Sequence, residues 1–454
     1  MTSSRPGPRL LAVALAAALA APVTAQANPE IEKLRAEFEQ KLKALQESYE
    51  TRLKEIETRM SRTEGVATAA ETAAVQAARA PATQTAFNPE ISLILQGRYK
   101  NAKGDGHITG FLPAGHDHGA PKGFSLDHTE LALGASIDPY FRGFANFAIA
   151  DGEFETEEAW VQTTALGSGF TAKLGRYLSG IGYINEQHPH AWSFADQNLA
   201  YAAMLGGHYI QDGVQLKWLA PAPLFLEFGA EAGQGADWGD RNRLGSYALF
   251  ARVGDDLGAS HAWRVGLSRL RAKADHREGH WADNNGVEAH TYFSGTSRYW
   301  IADFVWKWAP QGNPTQQNFT FQAEYLRRDE SGVLECENNI AAGGLCTGLT
   351  DGYRARQSGW YAQGVYQFMP RWRAGYRYDR LDLGSLRFGP GYAGIFSRPD
   401  HTPQRHSLML DYNPSEFSRY RLQLARDRST QGLTDNQVTL QYIHSLGPHG
   451  AHKF

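Results

Sequence analysis

Histidine is the residue type whose placement suggests chemistry. The chain has 16 of them, and His107, His116, His118, His188, His190, His208, His276, His280, His290, His401 and His406 fall in stretches that read as long loops or their edges. Two clusters stand out. Gly115-His116-Asp117-His118 sets two imidazoles around a carboxylate, and His188-Pro189-His190 sets two imidazoles two residues apart. Mixed imidazole and carboxylate donors suit a borderline transition metal, zinc above all. The alternative is that these are solvated loop side chains, since neither spacing is a closed ligand set. Zinc in the loops is therefore one expectation, and no cofactor is required by the pattern. Catalytic motifs are a different matter. The sequence has no G-x-S-x-G, no H-E-x-x-H and no P-loop, so an enzyme is not the expectation.

A second group of charges alternates with apolar residues. Lys173, Lys217, Arg264, Arg373, Arg377 and Arg421 are basic, and Glu227, Asp303 and Glu324 are acidic. With Glu186 and Asp196 they form the expected lining of a pore. The late segments carry more Arg, which tilts a ring of charges mildly toward anions. Cys336 and Cys346 are the two cysteines in the chain. In an exported protein they read as one disulfide closing a small loop, and otherwise as a reduced pair.

The elements that position these residues are strands. Trp300, Ala302, Phe304, Trp306 and Trp308 share one face against Asp303 and Lys307, and Trp372, Ala374, Tyr376 and Tyr378 alternate with Arg373 and Arg377. Period-two runs that are apolar on one face and polar on the other are the signature of membrane-crossing strands. Sixteen such runs begin near Ile91, Phe124, Phe141, Phe154, Phe170, Gly213, Leu224, Gly245, His261, Ser297, Asn318, Ser358, Trp372, Gln404, Arg419 and Gln437. Short connections such as Asp138-Pro139 and Pro370-Arg371 follow the even-numbered runs. Long ones, at 101–123, 178–208, 273–296, 327–357 and 382–403, follow odd-numbered runs. That sorting predicts an all-β transmembrane barrel over 87–454, with its turns on the periplasmic side. Loop 178–208 takes the ordinal place of a loop that folds inward, and it is read either as a constriction carrying Glu186, His188, His190 and Asp196 or as an exposed lid.

The segments before the barrel fix the compartment. Arg5 and Arg9, an apolar run from Leu10 to Ala21 and Ala25-Gln26-Ala27 make residues 1–27 a secretory signal peptide. No later run is apolar enough for a membrane helix, so a membrane location demands a closed barrel. Ile31, Leu34, Phe38, Leu42, Leu45, Tyr49, Leu53, Ile56 and Met60 follow an eleven-residue repeat, which predicts an α-helical coiled coil over 28–64 in the periplasm. Residues 65–86, rich in Ala and Thr, read as a linker. A coiled coil implies an oligomer, with a homotrimer the natural expectation for a porin. It also allows contact with peptidoglycan, while the barrel meets outer-membrane lipid and lipopolysaccharide. A net charge of −3 leaves no footprint for nucleic acid.

Three stretches carry a resemblance: Phe87 to Gly97 (FNPEISLILQG), Gly180 to His188 (GIGYINEQH) and Asp212 to Leu216 (DGVQL). In them the chain resembles a proteobacterial outer-membrane family labelled zinc-regulated and TonB-dependent, and more distantly the phosphate-selective porin O and P group. The resemblance implies an outer-membrane location, a trimer of sixteen-stranded barrels and a link to zinc supply. The space at 28–86 is too short for the plug of a gated receptor, so passive diffusion of small solutes or ions is expected. An anion or phosphate porin and a cell-envelope tether or adhesin are the alternative expectations.

Overall fold

The computed structural model describes residues 90–112, 121–150, 153–235 and 244–447, with a few positions between 40 and 47. The signal peptide, the linker, nearly all of the coiled coil, and His116, Asp117 and His118 lie outside the described residues. The chain divides into two compact units, Met1–Ala86 and Phe87–Phe454, and the barrel is the second.

Sixteen strand positions form one antiparallel sheet among the described residues. They are β1 (Glu90–Asn101), β2 (two segments, Gly123–Leu126 and Thr129–Ser136), β3 (Phe141–Ala150), β4 (Glu153–Thr163), β5 (Phe170–Leu178), β6 (Ile210–Leu219), β7 (Phe225–Gly235) and β8 (Ser246–Leu257). The second half comprises β9 (His261–Ala282), β10 (Glu288–Trp308), β11 (Asn318–Cys336), β12 (Thr350–Met369), β13 (Trp372–Phe388), β14 (Gln404–Ser415), β15 (Ser418–Asp427) and β16 (Asp435–Leu446). Each strand pairs with the next, and β16 returns to β1 in register from Leu93↔Leu446 to Asn101↔Val438. The ring of strands closes without a free edge, and the extensions of β9 past Lys273 and β13 past Leu381 pair on one side alone. No described helix is long and apolar enough to cross a membrane.

The faces sort as the alternation requires. Leu174, Val214, Leu249, Leu267, Leu408, Leu440 and Tyr442 are exposed on the outside, whereas Gln215, Glu231, Ser268, Asp303, Gln363, Arg377 and Gln441 are buried inside. This sense of the wall makes a prediction. Leu267 is 51% exposed on β9, opposite Ala251 and Ala302 of its neighbours. An Arg on the lipid face near mid-membrane costs about 2–4 kcal/mol, so Leu267→Arg lowers folding stability in lipid vesicles by that order in a denaturant titration. An unchanged midpoint would reject a lipid-facing wall here.

Three of the expected long loops are corrected. Residues 273–296 and 327–357 are for the most part paired strand, and 382–403 is strand as far as Phe388. β9 has 22 residues, β10 21, β11 19, β12 20 and β13 17, against about 9–11 for a tilted crossing. Their far halves rise beyond the membrane as a palisade. Trp281, Phe293, Leu334, Tyr353, Tyr392 and Phe396 form a hydrophobic cluster there. His276, His280 and His290 lie in the β9–β10 ladder, and His406 lies in β14, so they are strand residues.

Cys336 and Cys346 are disulfide-bonded at the tip of this palisade. Asp283 ties the tip together, accepting from the backbone N–H of Leu345 (2.6 Å), Asn285 (2.9 Å) and Val287 (3.0 Å). Burial works against its charge, but these donors prevail and hold its carboxyl below the ordinary range. A disulfide spanning ten positions constrains the open state by about 3 kcal/mol on the chain-entropy model. Cys336→Ser with Cys346→Ser therefore makes 337–349 the first site of limited proteolysis, while the barrel keeps its folded migration on unheated gels. Equal protection with and without the disulfide would reject the assignment of the tip as its dependent element.

Candidate functional site in the barrel lumen

The connection between β5 and β6 enters the barrel and crosses it. Its neck is closed by Asn185, whose Nδ2 donates to Ser179 O (2.8 Å) and Tyr209 O (3.0 Å) and whose Oδ1 accepts from Tyr209 N (2.7 Å). From that neck the chain makes three attachments to different parts of the wall. A constriction, rather than an exposed lid, is what the structure contains.

The first attachment uses buried carboxylates that also have partners on the wall, Gln215 for Glu231 and Tyr361 for Glu324. Glu231 on β7 accepts from Gly180 N (2.8 Å) and Ser179 Oγ (2.6 Å). Glu324 on β11 accepts from Tyr183 N (2.8 Å), Ile184 N (3.0 Å), Tyr201 Oη (2.8 Å) and Tyr361 Oη (2.6 Å). The tight approach demands Gly182, which has φ +63, since a Cβ there would fall 2.1 Å from Tyr201 Oη. Arg252 completes the patch, pairing with Glu186 at 2.6 Å and Glu227 at 2.7 Å. Lys217 stands 3.5 Å from Glu227, and Arg264 pairs with Asp303 at 3.2 Å beneath the Tyr183 ring.

The second attachment is a short helix, α1 (Leu199–Leu205). Asn198 caps it by accepting from Tyr201 N at 3.0 Å, and left-handed Gly206 ends it. Its Leu199, Ala200, Tyr201, Ala203, Met204 and Leu205 pack on Tyr299, Ile301, Leu326, Tyr361 and Leu381 of the wall. Residues just before α1 meet arginines: Arg377 and Arg405 pair with Asp196 at 2.7 and 2.9 Å. Lower on that wall Arg373 and Arg421 share Asp411 at 2.5 and 2.8 Å, with Arg419 3.9 Å away. Arg419 and Arg421 also donate to the carbonyls of His190 (3.1 Å) and Trp192 (3.0 Å).

The third attachment holds the histidines. His188 and His190 face His128 and Glu130 of β2 and its break, and Glu157 and Glu158 of β4. His188 and His190 are thus lumenal residues, in line with the constriction reading of 178–208 and against an exposed loop. His208 is internal as well, its Nε2 donating to Gln187 O at 3.0 Å. The first long connection also turns inward: Phe111 and Leu112 are buried, and Gly110 O and Leu112 O accept from Gln357 (2.7 Å) and Arg328 (2.8 Å).

Of the expected lining residues, Glu186, Asp196, Lys217, Arg264, Asp303, Arg373, Arg377 and Arg421 pair with opposite charges inside the barrel, in separate patches. Sequence reasoning missed Arg98, His128, Glu130, Glu157, Glu158, Glu231, Arg252, Arg405 and Asp411. Period two alone could have placed Glu231 and Asp411. The pair Glu157-Glu158 carried a further signal, since adjacent carboxylates in a regular strand would put one of them into lipid.

No family model matches the chain. An uncharacterized protein of Aquifex aeolicus is 31% identical over 410 residues, which cover 82% of this chain and 81% of that protein. Among solved structures, OmpT, an outer membrane protein of Vibrio cholerae in a trimer form, is 11% identical, with a TM-score of 0.48 over 79% of this chain and 99% of that one. The outer membrane channel DcaP of Acinetobacter baumannii is 10% identical, with a TM-score of 0.46 over 79% and 97%. An anion-selective porin from Comamonas acidovorans is 10% identical, with a TM-score of 0.45 over 79% and 99%. Scores and identities this low carry no functional weight.

Proposed function

We propose that this chain, which belongs to the same family as the Aquifex aeolicus protein, is an outer-membrane channel through which small polar solutes or ions diffuse passively, narrowed by its own segment 179–209. One observation carries the reading: a closed barrel of sixteen strand positions is apolar outside and charged inside, and its lumen is crossed by the tethered segment 179–209. An apolar outer band on a closed sheet fits lipid, and a charged interior of this strand number fits water. A homotrimer in outer-membrane lipid and lipopolysaccharide belongs to the same proposal.

Planar bilayers test it. The folded protein produces discrete conductance steps in symmetrical salt, and a bilayer that stays sealed at every voltage and salt concentration overturns the reading. A second reading, anion preference, is favoured by the gathering of Arg373, Arg419 and Arg421 around the one carboxylate of Asp411. The reversal potential in a salt gradient decides it, because its sign reports which ion crosses more easily.

A further inference from the structure

Two irregularities in the wall meet at one place. β2 is broken at Asp127 and His128, and its pairing with β1 shifts by one residue between Gly97↔Leu126 and Ile94↔Glu130. β4 carries an extra residue: Asn146 of β3 pairs with Glu158 while Phe147 pairs with Thr156, which leaves Glu157 unopposed. Such bulges re-aim side chains. Here the effect is to turn both Glu157 and Glu158 inward, where they are 5% and 8% exposed. The segment from the lumen then brings two imidazoles to the same point.

The donor atoms are close and convergent. His188 Nδ1 lies 3.1 Å from Glu157 Oε2 and 3.4 Å from Glu130 Oε2, and its Nε2 lies 2.9 Å from Glu158 Oε1. His190 Nδ1 lies 2.8 Å from Glu130 Oε1, and His128 Nε2 touches Glu157 Oε1. Ligand atoms of His128, Glu130 and Glu157 all fall within 4.8 Å of one another. Donors about 2.1 Å from a tetrahedral ion stand roughly 3.4 Å apart, the spacing that His188 Nδ1 keeps to the two carboxylates.

Asn146 supplies an independent observation. It is 1% exposed, and its Nδ2 sits 2.9 Å from Glu130 Oε2, 3.0 Å from Glu157 Oε2 and 3.2 Å from His188 Nδ1. Two amide hydrogens face two carboxylate oxygens and a ring nitrogen whose role depends on the His188 tautomer, while Oδ1 is buried with no partner. An amide can be turned over without moving its heavy-atom outline. Turned, it would place Oδ1 against the carboxylate oxygens of Glu130 and Glu157, which is unfavourable for the oxygens alone and favourable once a cation is among them.

We propose that this cluster binds a divalent first-row transition cation through Glu130, Glu157, His188 and Asn146 Oδ1, with His128, His190 and Glu158 around it. The mixture of imidazole and carboxylate selects such an ion over calcium or magnesium, which take oxygen ligands. The ion joins β2, β3 and β4 to the lumenal segment, so it fastens the first part of the constriction to the wall. Its meaning for transport rests on the channel reading, whereas binding is measured without conduction, so either can fail alone.

The experiment uses the whole folded protein in detergent, with Zn2+ and Ca2+ as probes in calorimetry and metal analysis after dialysis. The background variant is His280→Ala with His290→Ala, because Glu278, His280 and His290 on the β9–β10 hairpin also bring donor atoms within 4.8 Å of one another. In that background one Zn2+ per chain is expected, with no Ca2+ at equal concentration. Glu157→Gln and His188→Ala each weaken Zn2+ at least tenfold. Asn146→Asp tightens it, since an added carboxylate serves a cation, whereas in a network without metal it adds only repulsion. Folded migration on unheated gels certifies each variant. Absence of Zn2+ binding in the background variant, or binding there that neither Glu157→Gln nor Asn146→Asp changes, overturns the proposal.

Discussion

Deleting residues 183–207 and joining the ends with a short Gly-Ser link raises single-channel conductance severalfold. The segment crosses the lumen, and sixteen strands enclose enough width for water once it is gone. The deletion is geometrically mild. Ser179 N already donates to Tyr209 O at 3.0 Å, so the ends of β5 and β6 meet at the neck and need no spanning linker. Its energetic consequences divide by patch. Arg252, Glu324, Arg377 and Arg405 lose protein partners but gain water in an open lumen, which spares them the penalty of an unpaired charge in a dry interior. Ile301, Leu326 and Leu381 lose their cover from α1, and hydration of those side chains lowers stability. The variant is therefore expected to fold with a lower thermal midpoint and to conduct more. Planar-bilayer recordings of gel-verified folded protein measure it. Unchanged conductance would mean that ions do not share the lumen with this segment. Asn185→Ala is the milder companion: it releases the neck by removing three hydrogen bonds, and it adds flicker to the open level without a change in its mean.

The wall was legible in the sequence because lipid on one side and water on the other impose a period that survives in single residues. Strand starts expected at Phe141, Phe170, His261, Asn318, Trp372 and Gln404 are the observed ones. Legibility stopped at the membrane edge. In β10, Glu288 to Ser297 continue the ladder with water on the outer face, so apolar alternation ends while pairing does not, and 273–296 reads as a loop. The lumenal segment was legible as a location but not as a structure. Its contacts join residues far apart in the chain, such as Asp196 with Arg377 and Arg405 or Tyr201 with Glu324, and nothing in local spacing encodes them. The metal-type cluster shows the same limit. His188-Pro189-His190 drew attention by proximity, but its partners Glu130, Glu157 and His128 are set by two bulges, which are register events between strands and leave at most the trace of Glu157-Glu158. The zinc expectation named His188 and His190, and the structure places both inside the lumen.

Asp411→Asn shifts the channel toward anions and destabilises the fold. The position lies in a row of inward neighbours running Arg98, Gln441, Arg421, Asp411 and Arg373 across β1, β16, β15, β14 and β13. The Asp411 side chain is fully buried, and it meets Arg373 at 2.5 Å, Arg421 at 2.8 Å and Arg419 at 3.9 Å. One carboxylate thus stands among three guanidinium groups. Asparagine preserves the shape and one acceptor oxygen but removes the charge, and stranding buried partners costs about 3–5 kcal/mol. Two carbonyls, of His190 and Trp192, still accept from Arg419 and Arg421, so the donors are not orphaned, and the loss is chiefly coulombic. Mobile anions then become the available counter-charge. The expected results follow together: the reversal potential in a salt gradient moves in the anion-selective direction, the melting temperature falls, and phosphate or sulfate restores part of it. Arg419→Gln is expected to move selectivity the opposite way, because it removes the guanidinium farthest from the shared carboxylate. A fall in stability with no change in reversal potential in either variant would place the arginine cluster off the conducting path and leave it a purely structural clasp for residues 190–192.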